Sequence, residues 1–133
     1  MRPRSLEEAV RWIAEGTGWM IALNEFLDEF YLSAKRQPMI NKRPKLTGDT
    51  WLDAYVGAVG EHLARRWRLK IPKWTEDSRR FLDTPSFPPG FELSKPIFLR
   101  DSPIAFRRRL IFTEAEPLRR ARWPHPETSS KGD

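Results

Sequence analysis

The chain has 133 residues, of which 39% are hydrophobic, 32% charged and 12% aromatic. That length suits one domain, and six Trp, eight Phe and two Tyr supply the apolar area for a single core. No apolar run is long enough for a membrane span. The absence of cysteine excludes disulfides, thiolate catalysis, Cys-based zinc sites and iron–sulfur clusters.

The formal net charge is +6, and it is unevenly placed. Residues 1–60 hold eight Lys/Arg against eight Asp/Glu, so the excess falls on residues 61–133. The basic residues there cluster at Arg65-Arg66 with Arg68 and Lys70, at Arg79-Arg80, at Arg107-Arg108-Arg109 and at Arg119-Arg120 with Arg122. Such clusters attract phosphates or acidic protein surfaces, or keep a helical face solvated. The N-terminus turns acidic at Glu7-Glu8 and does not read as a signal peptide. A reducing cytoplasm is the expected setting.

In chain order, Ser5-Leu6-Glu7-Glu8 reads as a capping box. Leu6, Ala9, Val10, Ile13 and Ala14 follow at helical spacing, and Gly16 and Gly18 supply the left-handed freedom that ends the helix. A second helix is expected from Trp19 to Ala34. Its apolar stripe is Met20, Leu23, Leu27, Phe30 and Tyr31, and Glu25, Asp28 and Glu29 form the opposite face. The short link makes the two an αα-hairpin. Residues 35–48 contain Pro38, Pro44, Gly48 and five basic residues, and are expected to be a mobile surface loop. Asp49 or Thr50 then caps a third helix running to about Leu69, with Leu52, Tyr55, Val56, Val59, Leu63 and Trp67 as its stripe. Gly57 and Gly60 lie inside that helix and each cost about 1 kcal/mol relative to Ala. Close packing of another helix over that face would account for them.

Beyond Pro72 the elements shorten. Thr75 caps a further helix that stops before Pro85, and residues 86–90 form an irregular turn. Short helices are expected from Leu93 to Arg100 and from Ile104 to Arg109. Thr113-Glu114-Ala115-Glu116 reads as a second capping box, opening a last helix with Leu118 and Ala121. Residues 123–133 are polar and proline-broken, so a disordered tail is expected. The fold class is therefore all-α: one domain over 1–122, with three longer helices and several short C-terminal ones.

The chemistry on offer is sparse. Glu25, Asp28 and Glu29 share a helical face, where carboxylates bind a divalent cation, perform acid/base work, face solvent, or receive a basic surface from this chain's own second half or from a partner. His62 and His125 are the two histidines. His62 falls at the edge of an apolar stripe. Arg120 and His125 have the Arg-x4-His spacing of some helical RNases, but Pro124 breaks the helix that would align them. There is no Ser-His-Asp set and no phosphate-cradling Gly loop. Three consecutive helical arginines span about 200°, so Arg107, Arg108 and Arg109 cannot all face one patch. At least one should return to a carboxylate, with Asp83, Asp101 and Glu114 available, or cap carbonyls. The rest would contact phosphate or a partner.

The block Arg100-Asp101-Ser102-Pro103-Ile104-Ala105-Phe106-Arg107-Arg108-Arg109-Leu110-Ile111-Phe112, followed by Leu118-Arg119-Arg120-Ala121, resembles the C-terminal signature of a family of small bacterial helical proteins. The stretch from Trp74 to Phe81-Leu82-Asp83 and the run Glu25-Phe26-Leu27-Asp28-Glu29-Phe30-Tyr31 also resemble it, so the likeness spans residues 5–121. Leu110 stands where the family usually has Asn. The resemblance implies an antitoxin-like or regulatory partner of a nucleotidyltransferase-like toxin, and no catalytic residues come with it. The expected function is thus a non-enzymatic, cytoplasmic interaction protein with a protein partner and no cofactor, metal or membrane. Its docking residues would be Arg107, Arg108, Arg109, Arg119 and Arg120, with Trp67 and Trp74 as aromatic anchors. The alternative is nucleic-acid binding through the same basic half.

Overall fold

A computed structural model describes residues 2–87 and 95–120. The helices are α1 (Leu6–Ala14), α2 (Trp19–Leu32), α3 (Gln37–Asn41), α4 (Thr50–Arg66), α5 (Lys95–Asp101) and α6 (Ile104–Arg107), with 3-10 turns at Lys73–Glu76 and Ser78–Arg80. The chain is all-α, and among the described residues no helix is long and apolar enough to cross a membrane.

Local chemistry sets the ends of the long helices. Ser5 Oγ accepts the Glu8 amide at 3.1 Å, while the Glu8 carboxylate receives the Arg4 amide at 2.6 Å, one residue earlier than a strict capping box places it. At the far end of α1 the Gly16 and Thr17 amides return to the carbonyls of Ile13 and Trp12, with Gly16 at φ +111°. That is the Schellman arrangement. Asp49 caps α4 by accepting the Leu52 amide. Arg68 closes α4 in the same Schellman way, its amide reaching Arg65 and that of Leu69 reaching Ala64, but with a non-glycine residue at φ +58°.

α1 packs on α2, and α4 lies against α6 and both 3-10 turns. The core between them is Leu6, Ala9, Val10, Leu23, Phe26, Leu27, Phe30, Val56, Val59, Leu63 and Phe106, joined by residues from the short elements. One expected loop belongs to this core. Pro38 sits in the first turn of α3, where its missing N–H costs nothing, and Met39 and Ile40 are buried. Residues 35–48 are therefore not a free surface loop. The buried Asp53 carboxylate also ties this connection to α4, accepting the Thr47 amide and hydroxyl, both at 2.8 Å.

Two other expectations are corrected. The helix expected after Trp74 is a pair of 3-10 turns, because Thr75 Oγ1 donates back to the Pro72 carbonyl instead of capping. No helix forms within 113–120. The Thr113 amide is taken by Ser102 Oγ, and Pro117 removes a donor where a helix would need one. This segment instead lies as a strap across α2 and α4. Tyr31 Oη donates to the Leu118 carbonyl at 2.7 Å, Arg120 pairs with Asp28, and Arg66 pairs with Glu116 at 3.4 Å. Ala121, residues 88–94 and the tail expected at 123–133 lie outside the described residues.

Candidate functional site

The most concentrated polar assembly surrounds Glu61. Its side chain is 0% exposed on α4. It accepts from Arg109 Nη1 at 2.6 Å, from Arg65 Nε at 2.7 Å and from Arg108 Nη1 at 2.8 Å. Burial alone would raise the Glu61 carboxyl, but these guanidinium groups outweigh it and hold it at about 2. Arg109, also 0% exposed, donates further to the carbonyls of Ala105 and Thr75 at 2.7 and 2.6 Å. Its guanidinium lies 4.4 Å over the Phe81 ring. Arg108 bridges Glu61 to Glu76, at 2.7 Å from the latter. The assembly thus locks α6 and the first 3-10 turn onto α4.

Gly57 and Gly60 make this possible. A Cβ on Gly57 would come within 3.0 Å of Arg109 Nε and Arg80 Cβ, and one on Gly60 within 2.7 Å of Trp74 Cη2. The expected close approach is real, made by arginine and tryptophan side chains rather than by a packed helix. α6 ends at Arg107, and in the turn that follows Leu110 takes φ +63° and the Ile111 amide returns to the Phe106 carbonyl.

This geometry engages Arg108, Arg109 and Arg120 of the expected docking set in ion pairs within the chain. Arg109 cannot meet a partner, because Glu61 and two carbonyls enclose it. Arg108 is committed to Glu61 and Glu76. Arg120 pairs in two-pronged fashion with Asp28, at 2.9 and 3.0 Å. Arg107 is exposed and donates to the Ser102 carbonyl at 3.0 Å, and Arg119 is exposed. The two tryptophans are also internal. Trp74 is buried and donates Nε1–H to the Ile40 carbonyl. Trp67 is half-buried against Phe30 and Tyr31, with the Arg36 guanidinium 4.0 Å over its ring.

The acidic face of α2 is likewise spoken for. Arg2 lies 3.3 Å from Glu25 and 3.9 Å from Glu29, and Arg120 holds Asp28. Among the described residues no three acidic or histidine side chains converge as metal ligands. His62 packs edge-on to Phe106 at 5.6 Å. Burial, helped by Arg66, pushes its ring down to about 4 against the pull of Glu61, so it is neutral at pH 7. His125, the other half of the Arg-x4-His pair, lies outside the described residues.

What the sequence did not single out is a groove of about 240 Å³ between the start of α2, Tyr55 of α4 and the strap. Leu23, Leu27 and Leu118 floor it, Trp19 and Tyr55 wall it, and Arg119 and Arg120 stand at its rim. Trp19, Trp51 and Tyr55 form one aromatic cluster there, with centroids 4.9–5.4 Å apart. Burial raises the Tyr55 hydroxyl to about 12. Met20, one of its lining residues, is 58% exposed, and Ile21, the next residue of α2, is 62% exposed. Comparison of the chain with protein-family models, with curated proteins and with solved structures found no match.

Proposed function

We propose that this protein is a non-enzymatic interaction module that docks a partner protein through the groove between α2 and the strap. What supports the reading is one observation: Met20, large, apolar and 58% exposed, lines a preformed groove together with Leu23, Leu27 and Leu118 and with the guanidinium-bearing Arg119 and Arg120, and the next residue, Ile21, is exposed as well. An exposed apolar side chain in a groove rimmed by polar groups is the kind of surface that a partner covers. Methionine adapts its shape to a partner at low cost. The arginine run serves this function indirectly, by fixing α6 and the segment that leads to the strap.

The resemblance of the sequence to small bacterial helical proteins points to the class of partner, a nucleotidyltransferase-like toxin, for which this chain would be the antitoxin-like masking subunit. The test is titration calorimetry against such an enzyme encoded beside this gene, with Ile21→Asp, Met20→Asp and Arg119→Glu as variants. A central contact is worth about 2 kcal/mol or more, a loss of about thirty-fold in affinity. Unchanged binding by all three variants would refute the groove, and no binding to the enzyme would refute this partner.

A further inference from the structure

On another part of the surface, residues 43–46 and 77–80 enclose a hollow of about 190 Å³. Its wall contains Arg80, whose side chain is 1% exposed. Arg80 donates to two backbone carbonyls, those of Asp53 at 3.2 Å and Pro44 at 2.7 Å. Unlike Arg109, it contacts no carboxylate among the described residues. The two nearby acids are engaged elsewhere: Asp53 with Thr47 and Gly48, and Asp77 in a two-pronged pair with Arg79 at 2.7 and 3.0 Å. Burial therefore works against the Arg80 cation, and its pKa is lowered. A desolvated guanidinium without a counter-ion is costly.

The rest of the lining compounds the imbalance. Arg43 and Lys45 are exposed and form no ion pair among the described residues. With Arg79 and Arg80 they set four cations against one carboxylate, between the apolar walls of Pro44 and Leu46. Cations converging from two chain segments suit a compact anion with several acceptor oxygens. We propose that this hollow is a binding site for a phosphate group, with Arg43 and Lys45 as its outer contacts and Arg80 as its buried cation. The site is separate from the α2 groove and does not depend on the docking reading.

The test is titration of the full chain with inorganic phosphate at constant ionic strength, followed by calorimetry and by the backbone amide resonances of residues 43–46 and 77–80. Saturable binding is expected, with a dissociation constant of about 1 mM or tighter. The exposed pair Arg43→Gln/Lys45→Gln should fold normally and bind about ten-fold more weakly, because each change removes one charge-assisted contact. Lys70→Gln, an exposed cation elsewhere, should bind as the wild type does. A non-saturating response, or equal binding by the double variant, would overturn the proposal. A fluorescent single-stranded oligonucleotide without terminal phosphate separates the sources. Displacement by phosphate in the wild type would assign the site to a phosphodiester backbone. Phosphate binding without such competition would assign it to a free phosphate or monoester.

Discussion

Replacing Glu61 by Gln keeps the side chain's shape and removes its charge, so it isolates the electrostatics of the buried assembly. Arg65 is exposed and turns to water, and Arg108 keeps Glu76. Arg109 has neither recourse. It stays wholly buried with two backbone carbonyls as acceptors and no anion. Stranding one member of a buried ion pair costs about 3–5 kcal/mol. The acid titration of Glu61 gives a similar figure. A carboxylate with a pKa near 4.5 unfolded and about 2 folded contributes about 3 kcal/mol at neutral pH. The unfolded chain binds the extra proton, so this contribution is present above pH 4.5 and is lost as the pH falls towards 2. Urea denaturation at pH 7 should show Glu61→Gln losing about 3–5 kcal/mol, with a Tm lower by about 10–20 °C. Glu61→Leu combined with Arg109→Met should recover most of the loss, since apolar groups of similar volume replace such pairs well. A Glu61→Gln cost below about 1 kcal/mol would place this carboxylate in the range of a surface pair and refute the argument.

Four further outcomes are expected. Gly60→Ala should lower stability by about 1–2 kcal/mol, because the clash with the Trp74 ring at 2.7 Å exceeds the gain in helix propensity; a rise in denaturation midpoint would contradict this. Arg68→Gly should raise stability by about 0.5–1 kcal/mol, by relieving the φ of +58° at the α4 terminus, and equal midpoints would count against strain there. Ile40→Ala should cost about 2–5 kcal/mol, as for a fully buried aliphatic residue, whereas a surface-loop residue would cost almost nothing. His62 should titrate near pH 4 by NMR. The unfolded imidazole takes up its proton near 6.5, so roughly 2–3 kcal/mol of stability is lost as pH falls from 6.5 to 4. His62→Gln should abolish that window while leaving the Glu61 window intact, and a midpoint at 6 or above would exclude a buried neutral ring.

The three long helices were readable from spacing and caps, because their signals are local: Ser5 with Glu8, Gly16, Asp49, and the apolar stripes between them. Gly57 and Gly60 also announced a close approach, since an unexplained helical glycine has few other uses. The misreadings share a cause. Pro38 looks like a breaker in isolation but starts α3, whose two buried residues sit within a polar stretch. Thr113-Glu114-Ala115-Glu116 satisfies a capping pattern, yet Ser102 competes for the Thr113 amide. The geometry of Arg107-Arg108-Arg109 required a return to some carboxylate or carbonyl. The partners, Glu61 and Glu76, lie 32 to 48 positions away, and no local spacing reports them. Glu61 carried one faint signal: an acid beside two helical glycines, in a segment with few polar positions. The α2 groove and the 43–46 hollow are likewise made by segments distant in sequence.

The bond between Glu61 and Arg109 joins positions 48 apart. During synthesis, α4 leaves the ribosome well before the residue that neutralises its buried acid. Until then Glu61 and the bare backbone at Gly57 and Gly60 face water, and a nascent chain ending near α4 has no dry interior on that side. A chain ending just after α4 thus lacks the groups that cover this face of the helix. Fragments cut before residue 109 lack the buried partner of Glu61 and should be more open to proteolysis than the full chain.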